Sequence, residues 1–134
     1  MSNHIHLIIS AAQGSNLSDT IRDFKRHTSK QIRSEILTNS KESRQEWMLR
    51  LMKYFAKYNS NNEKFQLWQR GKHPIELISL KWIKQELDYI HINPVRAGIV
   101  EYAEDYLYSS AKYYYKDEKP IIPLIKLDAD YNYN

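Results

Sequence analysis

Apolar side chains recur every three or four residues in three segments of the chain, which predicts three amphipathic helices. The first is expected over residues 17–37 and the second over residues 45–58. The third should begin near 76–79 and end near Asn93, because Pro94 cannot continue a helix. The positions expected to face a core are Leu17, Ile21, Phe24 and Ile32, with Thr28 in the gap, then Met48, Leu51, Met52 and Phe55, then Leu80, Ile83, Leu87 and Ile90.

Three other segments have the composition of strands. Residues 3–10 are apolar and β-branched, and residues 65–71 alternate before a glycine. Residues 121–127 could form an edge strand, since Pro123 excludes a central one. The tyrosine-rich segment 103–115 is expected to be a short helix or turn. These elements predict an α+β fold, whose sheet would be incomplete within one chain because two confident strands are too few.

Length and composition exclude several classes of protein. The 134 residues suit one domain, expected over residues 1–127, with a disordered tail at 128–134. Cysteine is absent, which excludes disulfides, thiolate catalysis and cysteine metal sites. No apolar run approaches the length of a membrane span, and the N-terminus lacks the pattern of a signal peptide, so we expect a cytoplasmic protein without a membrane partner.

The charge pattern favours a polyanionic partner. The net charge is +4, with 20 basic and 16 acidic side chains. A solvated surface explains this balance equally well, but the cations are not scattered. On the first two predicted helices they recur with the helical period, as a nucleic-acid contact would require. The expected DNA-binding residues are Arg22, Lys25, Arg26, Lys30, Arg33, Arg50, Lys53 and Lys57.

His4 and His6 are candidate metal ligands. On an extended strand, side chains two apart point to the same side, so both imidazoles would face one way while Ile5 faces the other. Imidazole nitrogens bind several divalent ions. A histidine pair of this spacing also occurs by chance near chain starts, so the pair alone leaves both interpretations open.

Tyr89 and Asn93 form the second candidate constellation. Being four apart, they lie on one face of the third helix, at the margin of its apolar stripe. A tyrosine there can pack its ring and wet its hydroxyl, and an asparagine before a proline is a common helix stop. A tyrosine hydroxyl is also a nucleophile. With a metal on His4 and His6, and the Asn93 amide completing the shell, the set suits phosphoryl transfer.

The segments NHIHLII and YIHINPVRAGIV, followed by EDYLYSSAKYYY, resemble the single-tyrosine HUH transposases, in particular the REP-associated tyrosine transposases and their insertion-sequence relatives. QRGKHPIEL at 69–77 resembles the strand and helix start that precede the tyrosine helix in that family. The likeness covers most of residues 2–115. Relative to the family pattern, the chain lacks an N-terminal strand and helix and is expected to be N-terminally truncated.

The resemblance implies an RRM-like HUH fold, in which helices pack on an antiparallel sheet. It also implies a transposase that cleaves and rejoins single-stranded or hairpin DNA through a 5′-phosphotyrosine intermediate. Tyr89 would be the nucleophile, and His4, His6 and Asn93 would hold the ion, which we expect to be Mg²⁺ or Mn²⁺. A second copy of the chain is a further expected partner, since it could supply the missing sheet edge.

Two other functions remain open at this point. The truncated chain could be a catalytically inactive DNA-binding module, or a metal-dependent hydrolase that uses water in place of Tyr89. The other histidines, His27, His73 and His91, are not assigned to the metal. Glu86 shares the general face of Tyr89 and is a weak candidate for binding the ion or the tyrosine proton; it could equally be solvated.

Overall fold

The computed structural model describes residues 3–58, 64–69 and 74–127, and within these ranges the protein is helical. The helices are α1 (Leu17–Thr38), α2 (Gln45–Ala56), α3 (Leu80–Arg96) and the short α4 (Ala111–Lys116). A single 3₁₀ turn lies at Ala103–Asp105. No residue in the described ranges lies in a strand, so the predicted antiparallel sheet of an α+β, RRM-like fold is wrong.

The predicted strands fail because, among the described residues, their backbones have no strand to pair with. A strand exists only through hydrogen bonds to a neighbour, and a sequence pattern cannot supply that neighbour. Two of the segments bond to helices instead. The Gln66 amide donates to the carbonyl of Met52 in α2 (3.0 Å), and the Leu127 amide donates to the hydroxyl of Tyr114 in α4 (2.9 Å). The end of the predicted strand 65–71 lies outside the described residues.

The described residues form two compact units. The first unit lies within residues 10–74 and contains α1 and α2. The second unit is formed by residues 3–9 and 75–127 and contains α3, the 3₁₀ turn and α4. The predicted single domain over 1–127 stays a prediction, and the predicted tail at 128–134 lies outside the described residues. In the part of the chain that the structure describes, no helix is both long and apolar enough to cross a membrane.

The α1–α2 unit is held by a small core and a few polar contacts. Asn16 caps α1, because its side-chain oxygen accepts from the amides of Ser18 (2.8 Å) and Asp19 (3.3 Å). The buried apolar side chains of the unit include Ile36 in α1 and Met52 in α2. Across the unit, the indole Nε1 of Trp68 donates to the hydroxyl of Thr28 at 2.9 Å. The predicted position of Thr28 inside the contact stripe is therefore correct.

Four residues predicted to lie in the core of this unit are exposed. Phe24 and Ile32 of α1 and Leu51 and Phe55 of α2 each keep about 40% of their surface in water. The helical period therefore predicted the buried faces of α1 and α2 only approximately. Met52 and Ala56 take the buried face of α2, and a helix with one partner can bury only a narrow stripe.

The α3 unit packs around one helix. Ser79 caps α3 through a hydrogen bond from the Trp82 amide to its hydroxyl (3.3 Å). Ile83 is buried on the face of α3 that the sequence predicted, whereas Leu80 at the start of that stripe is 45% exposed. Ala103 in the 3₁₀ turn and Ala111 in α4 are also buried. The small side chains let these short elements approach closely.

The predicted end of α3 at Asn93 is wrong, because the helix continues through Pro94 to Arg96. Proline lacks the amide that would donate to the Ile90 carbonyl one turn earlier, so α3 continues without that hydrogen bond, and Pro94 is buried there. The helix instead ends at Gly98, which has φ +65°. The Gly98 amide donates to the Val95 carbonyl and the Ile99 amide to the Pro94 carbonyl, both at 2.9 Å, which is the Schellman arrangement.

Gly98→Ala should lower the free energy of unfolding by about 1 kcal/mol, because a side chain at positive φ is strained. A β-carbon at this position would meet no atom within 4 Å, so the loss would come from the backbone and not from a clash. Denaturant unfolding measures it. Gly98→Asn is the matched control and should lose less, since asparagine tolerates this conformation better. Equal losses for the two variants would contradict this explanation.

Candidate active site

The N-terminal segment and α3 bring the four predicted site residues together within one unit. The rings of His4 and His6 have their centres 5.0 Å apart, and the ring of His6 lies 5.7 Å from that of Tyr89, edge to face. The side-chain nitrogen Nδ2 of Asn93 lies 3.5 Å from Nε2 of His6. His6 is therefore the centre of the cluster, in contact with each of the other three side chains.

The helical geometry of α3 explains why Tyr89 and Asn93 meet His6 together. Four residues correspond to just over one turn, so the two side chains lie one above the other. Tyr89 is 43% exposed, so solvent reaches part of this residue, while Asn93 is half-buried. His91, two positions after Tyr89, lies on the far side of the helix.

Asn3 fixes the orientation of His4, a role that the sequence analysis did not assign. Its side-chain oxygen lies 2.7 Å from Nδ1 of His4 and can only accept a hydrogen bond. In a neutral imidazole the proton is then on Nδ1, and Nε2 keeps its lone pair. Such outer contacts commonly orient histidine ligands of metals. The adjacent position of Asn3 and His4 in the sequence was the available signal.

The residues present fit a divalent ion. The side-chain amide of Asn93 faces Nε2 of His6, and a neutral imidazole keeps a lone pair on one of its two nitrogens for an ion. A half-turn of the Asn93 amide would exchange its nitrogen for its oxygen at the same place. Among the described residues, no group of three or more His, Asp or Glu side chains is placed to hold a metal. The fit therefore depends on the Asn93 amide as the third protein ligand.

Comparison with known families decides the ancestry of the chain. Residues 1–69 match the profile of the family described as IS200-like transposases, which is just over half of the 134 residues. The chain belongs to the IS200-like transposase family. The predicted family is therefore confirmed, and the chain is by descent a transposase domain, for which DNA is the partner. Neither curated proteins nor solved structures yielded a match.

The matched part of this transposase contains one half of the candidate site. His4, His6 and the basic helices lie within residues 1–69, whereas Tyr89 and Asn93 follow it. The link between the two halves is the pair of contacts that His6 makes with Tyr89 and Asn93.

His91 of the transposase is a structural residue. It is only 1% exposed, with Nε2 2.8 Å from the Ser110 hydroxyl and Nδ1 3.2 Å from the Tyr115 hydroxyl. Burial lowers the pKa of His91, although the carboxylate of Asp88 opposes the shift. The neutral ring can then donate at one nitrogen and accept at the other, which ties α3 to α4. His27 is exposed on α1, and His73 lies outside the described residues.

The predicted DNA-binding side chains of the transposase all lie in the α1–α2 unit. Arg22 and Arg26 pair with Asp23, and Arg50 pairs with Glu46 at 2.7 Å. Surface pairs of this kind are weak and exchange readily for phosphate. The guanidinium of Arg33 lies 4.7 Å above the ring centre of Phe65. Lys30 and Lys57 are exposed, which makes them the most direct candidates for phosphate contacts.

Proposed function

We propose that this chain is a metal-dependent transposase that cleaves and rejoins single-stranded or hairpin DNA through a 5′-phosphotyrosine intermediate. The observation that carries the proposal is the contact of His6 with both Tyr89 and Asn93. A nucleophile and three candidate ion ligands are thereby gathered in one chain, at a side chain that solvent can reach.

In the proposed reaction, the Tyr89 hydroxyl oxygen attacks the phosphorus of one phosphodiester. The new bond joins that oxygen to the 5′-phosphate, and the bond to the 3′ oxygen of the preceding nucleotide breaks. The tyrosine proton is given up and the leaving 3′ oxygen takes a proton, so the strand end is a 3′-hydroxyl. A second 3′-hydroxyl can reverse the step and rejoin the strand, because the phosphotyrosine conserves the ester bond.

His4, His6 and Asn93 would hold the ion, with Asn3 orienting His4. When bound, Mg²⁺ or Mn²⁺ would supply charge stabilisation to the non-bridging phosphate oxygens. The chain's own contribution is positional. Packing of Tyr89 against the edge of His6 holds the phenol next to the proposed ligands, and burial of the other face of α3 keeps that helix in place.

A strand-polarity experiment tests the proposal. Single-stranded DNA with the sequence that flanks the gene for this chain is labelled at either the 5′ or the 3′ end. It is then incubated with the protein and Mn²⁺. A 5′-phosphotyrosine should retain the 3′-labelled fragment on the protein in a denaturing gel and release a 5′-labelled fragment that a polymerase can extend. Retention of the 5′ label, or release of both fragments without an adduct, would contradict the proposed chemistry.

A DNA-binding module without cleavage is the second candidate function. It is favoured by the position of Tyr89 and Asn93 after the residues that match the family. Such a module would bind the same DNA with the same basic helices but form no adduct under any metal condition. The labelled-strand experiment therefore separates the two functions.

Binding of single-stranded DNA should weaken with salt, with a slope of log affinity on log salt of about −0.7 for each phosphate contacted. Five contacts would give about −3.5. Lys30→Ala and Lys57→Ala should each make the slope less negative by about 0.7, because each variant loses one phosphate contact and the counterion release that goes with it. Lys41→Ala is the control, since this exposed residue lies in the loop between α1 and α2. Fluorescence anisotropy at several salt concentrations measures the slope, and affinity independent of salt would refute the prediction.

A further inference from the structure

α2 and the turn that follows it present a row of large rings to solvent. Trp47, Tyr54 and Tyr58 are 60%, 51% and 72% exposed, and Phe55 beside them is 44% exposed. Trp47 and Tyr54 lie seven residues apart, which is two turns and therefore one face of the helix. The buried face, with Met52 and Ala56, is the opposite one. Exposed apolar surface of this extent on one helix face is typical of a binding site.

The rings are already ordered by contacts with one another. The ring of Tyr54 lies 5.3 Å from that of Tyr58 and 5.4 Å from that of Phe55, both at steep angles. The hydroxyls of Tyr54 and Tyr58 are 3.3 Å apart, with Tyr58 donating. Rings that are held before a ligand arrives lose little conformational entropy on binding. The solvent-facing sides of these rings can therefore stack on a ligand's aromatic ring without first becoming ordered.

Cations flank this row on one side. Arg50, Lys53 and Lys57 follow the edge of the aromatic face, and the one acidic side chain of α2, Glu46, is paired with Arg50 at 2.7 Å. An apolar protein partner would have to desolvate these cations without compensation. A single strand of nucleic acid matches both features, since its phosphates pair with cations and its unpaired bases stack on aromatic rings. In a duplex the base faces are covered by neighbouring pairs.

We infer that the outer face of α2 is a base-stacking platform for single-stranded DNA, formed by Trp47 and the Tyr54–Tyr58 pair. Lys53 and Lys57 hold the phosphates of the stacked nucleotides. Trp47 in α2 and Tyr58 in the turn after it lie eleven positions apart, which is about 16 Å at the helical rise of 1.5 Å per residue. A stacked strand covers that length with about five nucleotides. The inference deepens the proposed function, on which it rests only for the identity of the ligand.

Two probes of equal charge separate stacking from phosphate contact. Oligothymidine of twelve nucleotides has bases, and an abasic strand of the same length has only the backbone. With the full chain in a metal chelator, Trp47→Ala and Tyr58→Ala should each weaken oligothymidine binding about tenfold, a typical loss for one stacking ring. Binding of the abasic strand should stay unchanged. Tyr58→Phe should bind both probes like the original chain, since it keeps the ring.

Tyr102→Ala is the matched control, because Tyr102 is 58% exposed and belongs to the other unit. Circular dichroism of each variant checks that the helices persist. Oligothymidine affinity that is unchanged in the two alanine variants would overturn the inference, as would an equal loss for both probes. Dimerisation of the original chain that the variants abolish would also overturn it, since the rings would then belong to an interface between copies. These binding measurements, made in a metal chelator, do not test whether Tyr89 forms the adduct, so failure here is distinct from failure of the proposed function.

Discussion

Tyr89→Phe should abolish the covalent protein–DNA adduct while leaving DNA affinity nearly unchanged. The substitution keeps the ring that packs edge to face on His6 and removes only the oxygen that would attack phosphorus. The phenylalanine side chain has no other atom that can attack phosphorus, so no residual adduct is expected. A denaturing gel with labelled single-stranded DNA and Mn²⁺ measures the adduct, and anisotropy in a metal chelator measures the affinity.

Tyr102→Phe is the control for Tyr89→Phe. It removes a hydroxyl from a second exposed tyrosine of the same unit that does not belong to the His6 cluster, and it should form the adduct at the original rate. An adduct that survives in Tyr89→Phe would show that another tyrosine is the nucleophile. If the unaltered chain binds DNA but never forms an adduct, the binding-module function is the correct one.

The helices were predicted correctly from the sequence, whereas the predicted sheet is wrong, since no described residue lies in a strand. Helical hydrogen bonds are local, so the periodic apolar positions were enough to predict α1 over almost its full length. Pro94 misled the prediction for α3, because the helix continues through it without one hydrogen bond and ends before Gly98 instead. Strand pairing depends on a partner elsewhere in the chain. The apolar character of residues 3–10 carries no information about whether such a partner exists.

The members of the candidate site could be predicted, but not their contacts. His4 and His6 follow from the two-residue period of an extended chain, and Tyr89 and Asn93 follow from the helical period. The two pairs are more than eighty residues apart, and only their complementary chemistry and the resemblance to a family joined them before the structure placed His6 against Tyr89. The bond between Asn3 and His4 was missed because side-chain hydrogen bonds between neighbours leave no periodic pattern.

Replacing His4 and His6 together with alanine should remove ion binding and strand cleavage in one step. The two imidazoles are the proposed nitrogen ligands, and the Asn93 amide alone is a poor site for a divalent ion. Titration with Mn²⁺, followed by the paramagnetic signal of the free ion, measures the binding. His27→Ala is the control, since this exposed histidine on α1 belongs to the other unit. Mn²⁺ affinity that persists in the double variant would place the ion elsewhere.

The same variant tests whether the site works within one chain. His6 contacts Tyr89 and Asn93 of its own chain, so each molecule holds a complete set of proposed groups. A mixture of Tyr89→Phe with the histidine double variant should therefore form no adduct, because no molecule in it has both an intact tyrosine and intact histidines. If the mixture recovered adduct formation, the tyrosine of one copy would be acting with the histidines of another. Recovery would contradict the single-chain site and make a second copy part of the active transposase.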